Sequence, residues 1–221
     1  MHFKRVTLLA GHYGSGKTNI AVNLAELLSK TEKNVAIADL DIVNPYYRTL
    51  DSKERLSHAG VRMIVSRFAN SNVDIPAMPQ DMYAIVDDLT LHCIVDVGGD
   101  DRGALALGRL VPKLRQEANY DMFLVVNRFR PLTKTPEEVL EVKYEIETAA
   151  GLHFTGIINN SNLGAETTED TVLSSVEYGR NCAALCGLPL VFTSVESSLA
   201  RKLSGKVPDL FPMKLQKRPV E

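Results

Sequence analysis

The sequence lacks most of the features that mark specialised protein classes. Its 221 residues include three cysteines, an odd number without framework spacing, which argues against a secreted fold built on disulfides. No apolar run approaches the roughly 20 residues that cross a bilayer. Residues 1–10 turn apolar too late, and too briefly, for a secretory leader. No excess of charge of one sign is present: 25 Lys+Arg stand against 27 Asp+Glu, a net charge of −2. That balance gives no electrostatic reason to expect nucleic acid or an anionic membrane as a partner. There is no internal repeat, low-complexity tract or linker. What remains, 45% hydrophobic and 24% charged residues, is the composition of an ordinary globular protein. The expectation is a cytoplasmic protein with one folded domain over residues 1–204 and a tail at 205–221. That tail holds three prolines and scattered basic residues and reads as draped on the surface or loose. Leu210, Phe211, Met213 and Leu215 hint at a membrane contact, but Pro208, Pro212 and Pro219 interrupt any amphipathic helix, so no anchor is expected.

Apolar runs recur at intervals that leave room for a helix between them. Strands are expected at 5–10, 35–40, 61–65, 91–97, 122–127, 154–159 and 188–193. Several are β-branched and almost continuously apolar, as strands buried on both faces are. Helical patterns fill 17–30, 51–59, 79–88, 102–117, 136–150, 169–186 and 197–203. This alternation predicts an α/β fold, a three-layer α/β/α arrangement around a mostly parallel twisted sheet of about seven strands.

The first strand runs into Gly11-His12-Tyr13-Gly14-Ser15-Gly16-Lys17-Thr18, followed by Asn19 and an amphipathic helix. This is the G-x-x-x-x-G-K-[ST] pattern of a phosphate-binding loop in its strand–loop–helix context. Glycines let the backbone close around an anion with its N–H groups inward, and the helix N-terminus adds partial positive charge. Lys17 is expected to reach the β- and γ-phosphates, and the Thr18 hydroxyl to ligate Mg²⁺. Two later strands end in acids. "VAIADLDIVNPYYR" closes on Asp39 and Asp41, which period-2 alternation puts on one side of the sheet, at the edge where open α/β sheets bind ligands. "LHCIVDVGGDD" closes on Asp96 and two glycines, where an acid can hold Mg²⁺ through water and Gly98-Gly99 can approach a γ-phosphate.

These segments together resemble the MinD/ParA group of P-loop ATPases, within the wider CobQ/CobB/MinD/ParA (SIMIBI) family. The likeness extends over most of the chain, although only the loops are specific. It implies that Asp41 acts in switch I beside the attacking water and the metal's water shell. It implies that Asp96 is the Walker B carboxylate and that Gly99 lies in switch II. "GIINNSN" is similar to the segment that offers an asparagine to the base, which makes Asn160 a base contact, and "LPLVFTSVE" resembles the base-cradling strand and loop that follow. The nucleotide-binding set is therefore Gly11, His12, Tyr13, Gly14, Ser15, Gly16, Lys17, Thr18, Asn19, Gly99 and Asn160, with Thr18, Asp41 and Asp96 toward the metal. Lys17 and Asp41 are the catalytic candidates. The resemblance also implies a protein partner and a homodimer that encloses two nucleotides.

One position departs from the group. Its loop carries a signature lysine that reaches across the dimer, and here that position is His12, with Tyr13 in place of glycine. An imidazole is shorter than a lysine and is not a permanent cation. Arg48, Arg102, Arg128 or Arg130 are candidates to supply the missing charge. ATP is favoured over GTP, because "VVNRFRP" has Arg130 where a guanine-reading acid would stand and "INNSN" has no acid; arginine has no acceptor for guanine N–H groups. The expected function is a Mg²⁺-dependent ATPase switch acting on a partner, with cofactor or metal-centre maturation as a candidate setting. An ATP-dependent small-molecule kinase or ligase is the alternative, with the 67–83 loop and Tyr46, Tyr47 and Arg48 to wall a second substrate. A nucleotide-binding scaffold with little hydrolysis is a third class. Cys182 and Cys186, spaced i, i+4 on a helix, read as core rather than as metal ligands.

Overall fold

The first strand shows how the architecture arises. In Val6–Ala10 (β1) every side chain is buried, with Val6, Leu8 and Ala10 packing on one face of a sheet and Leu9 on the other. The same alternation repeats in Val35–Asp39 (β2), His92–Asp96 (β4) and Tyr120–Val126 (β5). A strand apolar on both faces must be covered on both, so helices form a layer on each side. The computed structural model describes residues 2–40, 52–65, 80–98 and 107–216.

Among these residues eight strands form one parallel sheet in the order β3-β2-β4-β1-β5-β6-β7-β8. The remaining strands are Arg62–Val65 (β3), Gly156–Asn159 (β6), Leu190–Glu196 (β7) and Leu210–Met213 (β8). Lys17–Leu28 (α1) and Lys53–His58 (α2) contribute Ile20, Leu24 and Leu56 to the core on one face. Ala84–Asp87 (α3), Val111–Glu117 (α4), Pro136–Ala150 (α5) and Glu169–Cys186 (α6) cover the other. Ser197–Leu203 (α7) packs Leu203 against Val172 and Val195 near the β8 edge. Helices α5 and α6 begin with capping boxes on Thr135 and Thr168, and each stops at a left-handed glycine, Gly151 and Gly187. No helix among the described residues is long and apolar enough to cross a membrane.

Seven strands lie where the apolar runs predict them. The eighth corrects the reading of 205–221 as a tail. Leu210–Met213 pairs in parallel with β7, and Phe211 and Met213 are buried, Phe211 with its ring 4.7 Å from that of Phe192. Pro212 is compatible with this because β8 is the edge strand, where a missing N–H breaks no ladder. Within the helix expected over 102–117, residues 107–108 are helical, a turn follows at 109–110, and a separate helix begins at Val111 with Pro112 in its first turn. Proline has no N–H to continue a preceding turn but suits a helix start, so the chain turns and starts again there.

A buried cation fastens the end of the sheet remote from the phosphate loop. Arg5 is 4% exposed, and its Nη1 donates to the carbonyls of Ile85 (2.9 Å), Asp88 (3.2 Å) and Leu91 (3.0 Å). The rest of the guanidinium pairs with Glu117 at the end of α4. The hydrogen bond from Arg5 holds the Glu117 carboxyl below the usual range, against the opposing effect of partial burial.

Candidate functional site

The loop of 11–16 leaves β1 at the C-terminal edge of the sheet and delivers the chain into α1. Its path demands glycine at two points. At Gly11 (φ 149°) a Cβ would lie 2.4 Å from the Val125 carbonyl oxygen, and at Gly16 (φ 90°) 2.2 Å from Asn160 Nδ2. Lys17 is 5% exposed and folds back over the loop, its Nζ donating to the carbonyls of Gly11 (2.9 Å) and His12 (3.4 Å). The ammonium is thus held above the loop before any ligand arrives. Ser15 is 1% exposed, and its Oγ has no hydrogen-bond partner among the described residues, nor has the buried Nδ1 of His12. A buried hydroxyl left unmatched is costly. An oxyanion seated in the loop is a fitting acceptor for the Ser15 hydroxyl. Tyr13 stands out at 55% exposure.

Thr18 and Asp96 meet. The Thr18 hydroxyl donates to Asp96 Oδ2 at 2.6 Å, joining the first turn of α1 to the end of β4. Hydroxyl and carboxylate oxygens are the donor type that hard divalent cations take. Asp39, the last residue of β2, stands in register with Asp96, so two strand-end carboxylates lie side by side at this edge. Asp41 and Gly99 lie outside the described residues, as do Tyr46, Tyr47, Arg48, Asp100, Asp101, Arg102 and the 67–79 part of the 67–83 loop. The remainder of that loop is a 3₁₀ turn, Gln80–Tyr83, leading into α3.

Asn160 is 3% exposed and its amide works within the protein. Nδ2 donates to the Ser15 carbonyl at 2.6 Å, and Oδ1 accepts from Ser194 Oγ at 2.6 Å. It therefore braces the phosphate loop from the side of β6 and β7, a task the sequence reading did not assign. The same residue lines a groove with Asn162, Thr167, Ser194, Glu196 and Leu215. Asn19, expected as a ligand contact, spends its Oδ1 on the Gln216 N–H at 2.8 Å.

The structure separates the two described arginine candidates. Arg128 is occupied elsewhere, with Nη1 on the Ser174 carbonyl (2.7 Å) and its guanidinium over the rings of Phe129 and Tyr178. Arg130 is exposed and lies against the loop, its Nε 3.6 Å from where a Cβ on Gly14 would be. Asn127 fixes the turn that carries it. Its Oδ1 accepts from the Phe129 N–H (3.0 Å), and its carbonyl accepts from the Arg130 N–H (3.0 Å) and from Thr133 Oγ1 (2.8 Å). Cys182 and Cys186 are core residues of α6; burial pushes the Cys182 thiol up to about 12 and that of Cys186 up as well, which keeps them protonated.

The profile of the CobQ/CobB/MinD/ParA nucleotide binding domain matches residues 6–171. The chain belongs to this family. Among curated proteins no relative matches it. The fold of this CobQ/CobB/MinD/ParA member is similar to solved structures at low identity. FtsY from Mycoplasma mycoides has a TM-score of 0.55 at 17% identity, covering 86% of this chain and 59% of its own. The cell division protein FtsY of Thermotoga maritima has a TM-score of 0.55 at 20% identity, covering 86% and 61%. The signal recognition particle 54 kDa protein of Aeropyrum pernix K1, solved in complex with GDP, has a TM-score of 0.52 at 16% identity, covering 87% and 41%. The chain thus spans about three fifths or less of these proteins, and the likeness is one of fold. Family and fold make it a nucleotide-binding P-loop protein.

Proposed function

We infer that the protein is a Mg²⁺-dependent ATP-binding switch whose nucleotide state is read by a partner protein or by a second copy of the chain. The observation that carries this reading is the 2.6 Å contact between Thr18 Oγ1 and Asp96 Oδ2 beneath a glycine loop that already holds Lys17. Lys17 and the loop N–H groups bind the β- and γ-phosphates. Thr18 and Asp96, with Asp41, hold Mg²⁺ directly or through water; the ion, when bound, neutralises triphosphate charge. Asn160 braces the Ser15 carbonyl of the loop and lines the groove in which the base lies. In the absence of a signature lysine, Arg130 supplies charge to the phosphate chain from within the same molecule. Phosphate release from ATP and from GTP, with and without Mg²⁺, tests the reading in the protein alone. Turnover that needs Mg²⁺ supports it, and turnover indifferent to Mg²⁺ contradicts it.

GTP is the second reading, and one observation favours it. Glu196 lines the groove beside Asn160, and a carboxylate accepts from the two N–H donors of guanine better than from the single amino group of adenine. The ratio of ATP to GTP turnover decides between them. Arg130→Ala is expected to lower turnover by more than about tenfold, as losing a charge-assisted contact to phosphate does, with Arg130→Lys intermediate. Arg128→Ala, which removes a cation engaged with Ser174, Phe129 and Tyr178, is expected to lower the melting temperature with turnover per folded molecule unchanged.

A further inference from the structure

The chain does not leave the fold at the end of β8. Beyond Met213 no strand pairing continues among the described residues, and the chain is taken up by side chains of α1 and of the start of α2. Lys214 N–H donates to Asn23 Oδ1 (2.8 Å), while its carbonyl accepts from Asn23 Nδ2 (3.0 Å) and Arg55 Nη1 (3.0 Å). Gln216 N–H donates to Asn19 Oδ1 (2.8 Å), and its own Nε2 donates to Ser52 Oγ (2.9 Å). Asn19 and Asn23 are four residues apart, hence on one face of α1, and they serve alternate residues of an extended segment. α1 is the helix that carries Lys17 and Thr18, so this clasp closes on the phosphate-binding element itself.

The intervening residue faces another way. Leu215, 39% exposed, joins Asn160 and Met213 in lining the groove beside the phosphate loop. Most polar groups there are committed. The amide of Asn160 is held by Ser15 and Ser194, that of Asn162 by the Asn160 carbonyl and the Gly164 N–H, and Thr167 Oγ1 by the Leu163 N–H and the Gly164 carbonyl. An apolar wall, a few committed amides and the Glu196 carboxylate, which has no partner among the described residues, suit a flat heteroaromatic ring with a polar edge. The groove is continuous with the loop through Asn160, which touches both.

We propose that Leu215 is a base-contacting residue and that Asn19 and Asn23 are the positioning residues that hold it there, making 213–216 part of the nucleotide site. This rests on the reading of the loop and groove as that site. The test separates base from phosphate. Binding of ATP, GTP and inorganic tripolyphosphate is measured for the wild type, Leu215→Ser and Asn23→Ala, with melting temperature recorded for each. Loss of an apolar wall is expected to weaken binding of the favoured nucleotide about tenfold in Leu215→Ser, with tripolyphosphate unchanged. Asn23→Ala is expected to move in the same direction. Equal affinities in wild type and Leu215→Ser, or a matching loss for tripolyphosphate, would overturn the proposal and leave the site reading intact. A wild type that binds tripolyphosphate as tightly as either nucleotide would remove the base site, and the proposal with it.

Discussion

Replacing Lys17 by alanine is expected to weaken binding of a nucleoside triphosphate by more than about a hundredfold, since charge-assisted hydrogen bonds to two phosphates are lost together. The effect is large because the ammonium is pre-organised. It is 5% exposed and already tethered to the Gly11 and His12 carbonyls, so little ordering is needed when ligand arrives. The fold should survive, because those carbonyls belong to a loop with access to water once the side chain is gone. Lys17→Arg is expected to fail nearly as badly, as a planar fork does not fit a space shaped for a compact ammonium. Calorimetric titration of each variant checks this. Wild-type affinity in Lys17→Ala would remove the loop from the account.

Arg5→Ala is expected to destabilise the protein by about 3–5 kcal/mol, because it strands the Glu117 carboxylate and leaves three carbonyls without their donor. For a chain of this size that corresponds to a fall of about 10 °C in melting temperature. The pH dependence has a definite sign. Glu117 titrates below the ordinary 4.5 in the folded protein, so its contribution is complete above pH 4.5 and is lost as pH falls through the folded value. In Arg5→Ala that depression goes, so the gap in stability between wild type and variant should narrow as the solution is acidified. Denaturant titrations at neutral and acid pH measure it. A gap that stays constant or widens on acidification would mean that Glu117 is not held by Arg5. Nucleotide affinity per folded molecule is expected to be unaffected, since the network lies at the far end of the sheet.

The elements that the sequence discloses are those whose signal is local. Leu8, Leu9 and Ala10 are apolar in succession because both faces of β1 are buried, and such runs are readable without a structure. The loop of 11–18 is equally legible, since its glycines are demanded by backbone geometry and its lysine by chemistry. Features that depend on distant pairing are not. β8 escapes notice because Pro212 and the basic residues around it are loop-like in composition, and only the place beside β7 makes a strand of them. The brace from Asn160 to Ser15 joins residues 145 apart in the chain, and resemblance assigned Asn160 only to the base. Arg128 and Arg130 are equivalent as sequence; the structure gives one to Ser174 and Tyr178 and sets the other beside Gly14. Asp41 and Gly99, which the resemblance places in switch I and switch II, are outside the described residues.

In the proposed function this loop binds a nucleoside triphosphate with the help of a divalent cation held at Thr18 and Asp96. The most direct measurement is the affinity of the wild-type protein for ATP and GTP with Mg²⁺ and with EDTA, beside Asp96→Asn. Binding is expected to weaken on chelation in the wild type, with a smaller response to Mg²⁺ in Asp96→Asn. Failure of the wild type to bind either nucleotide, or an equal response to Mg²⁺ in both proteins, would contradict it.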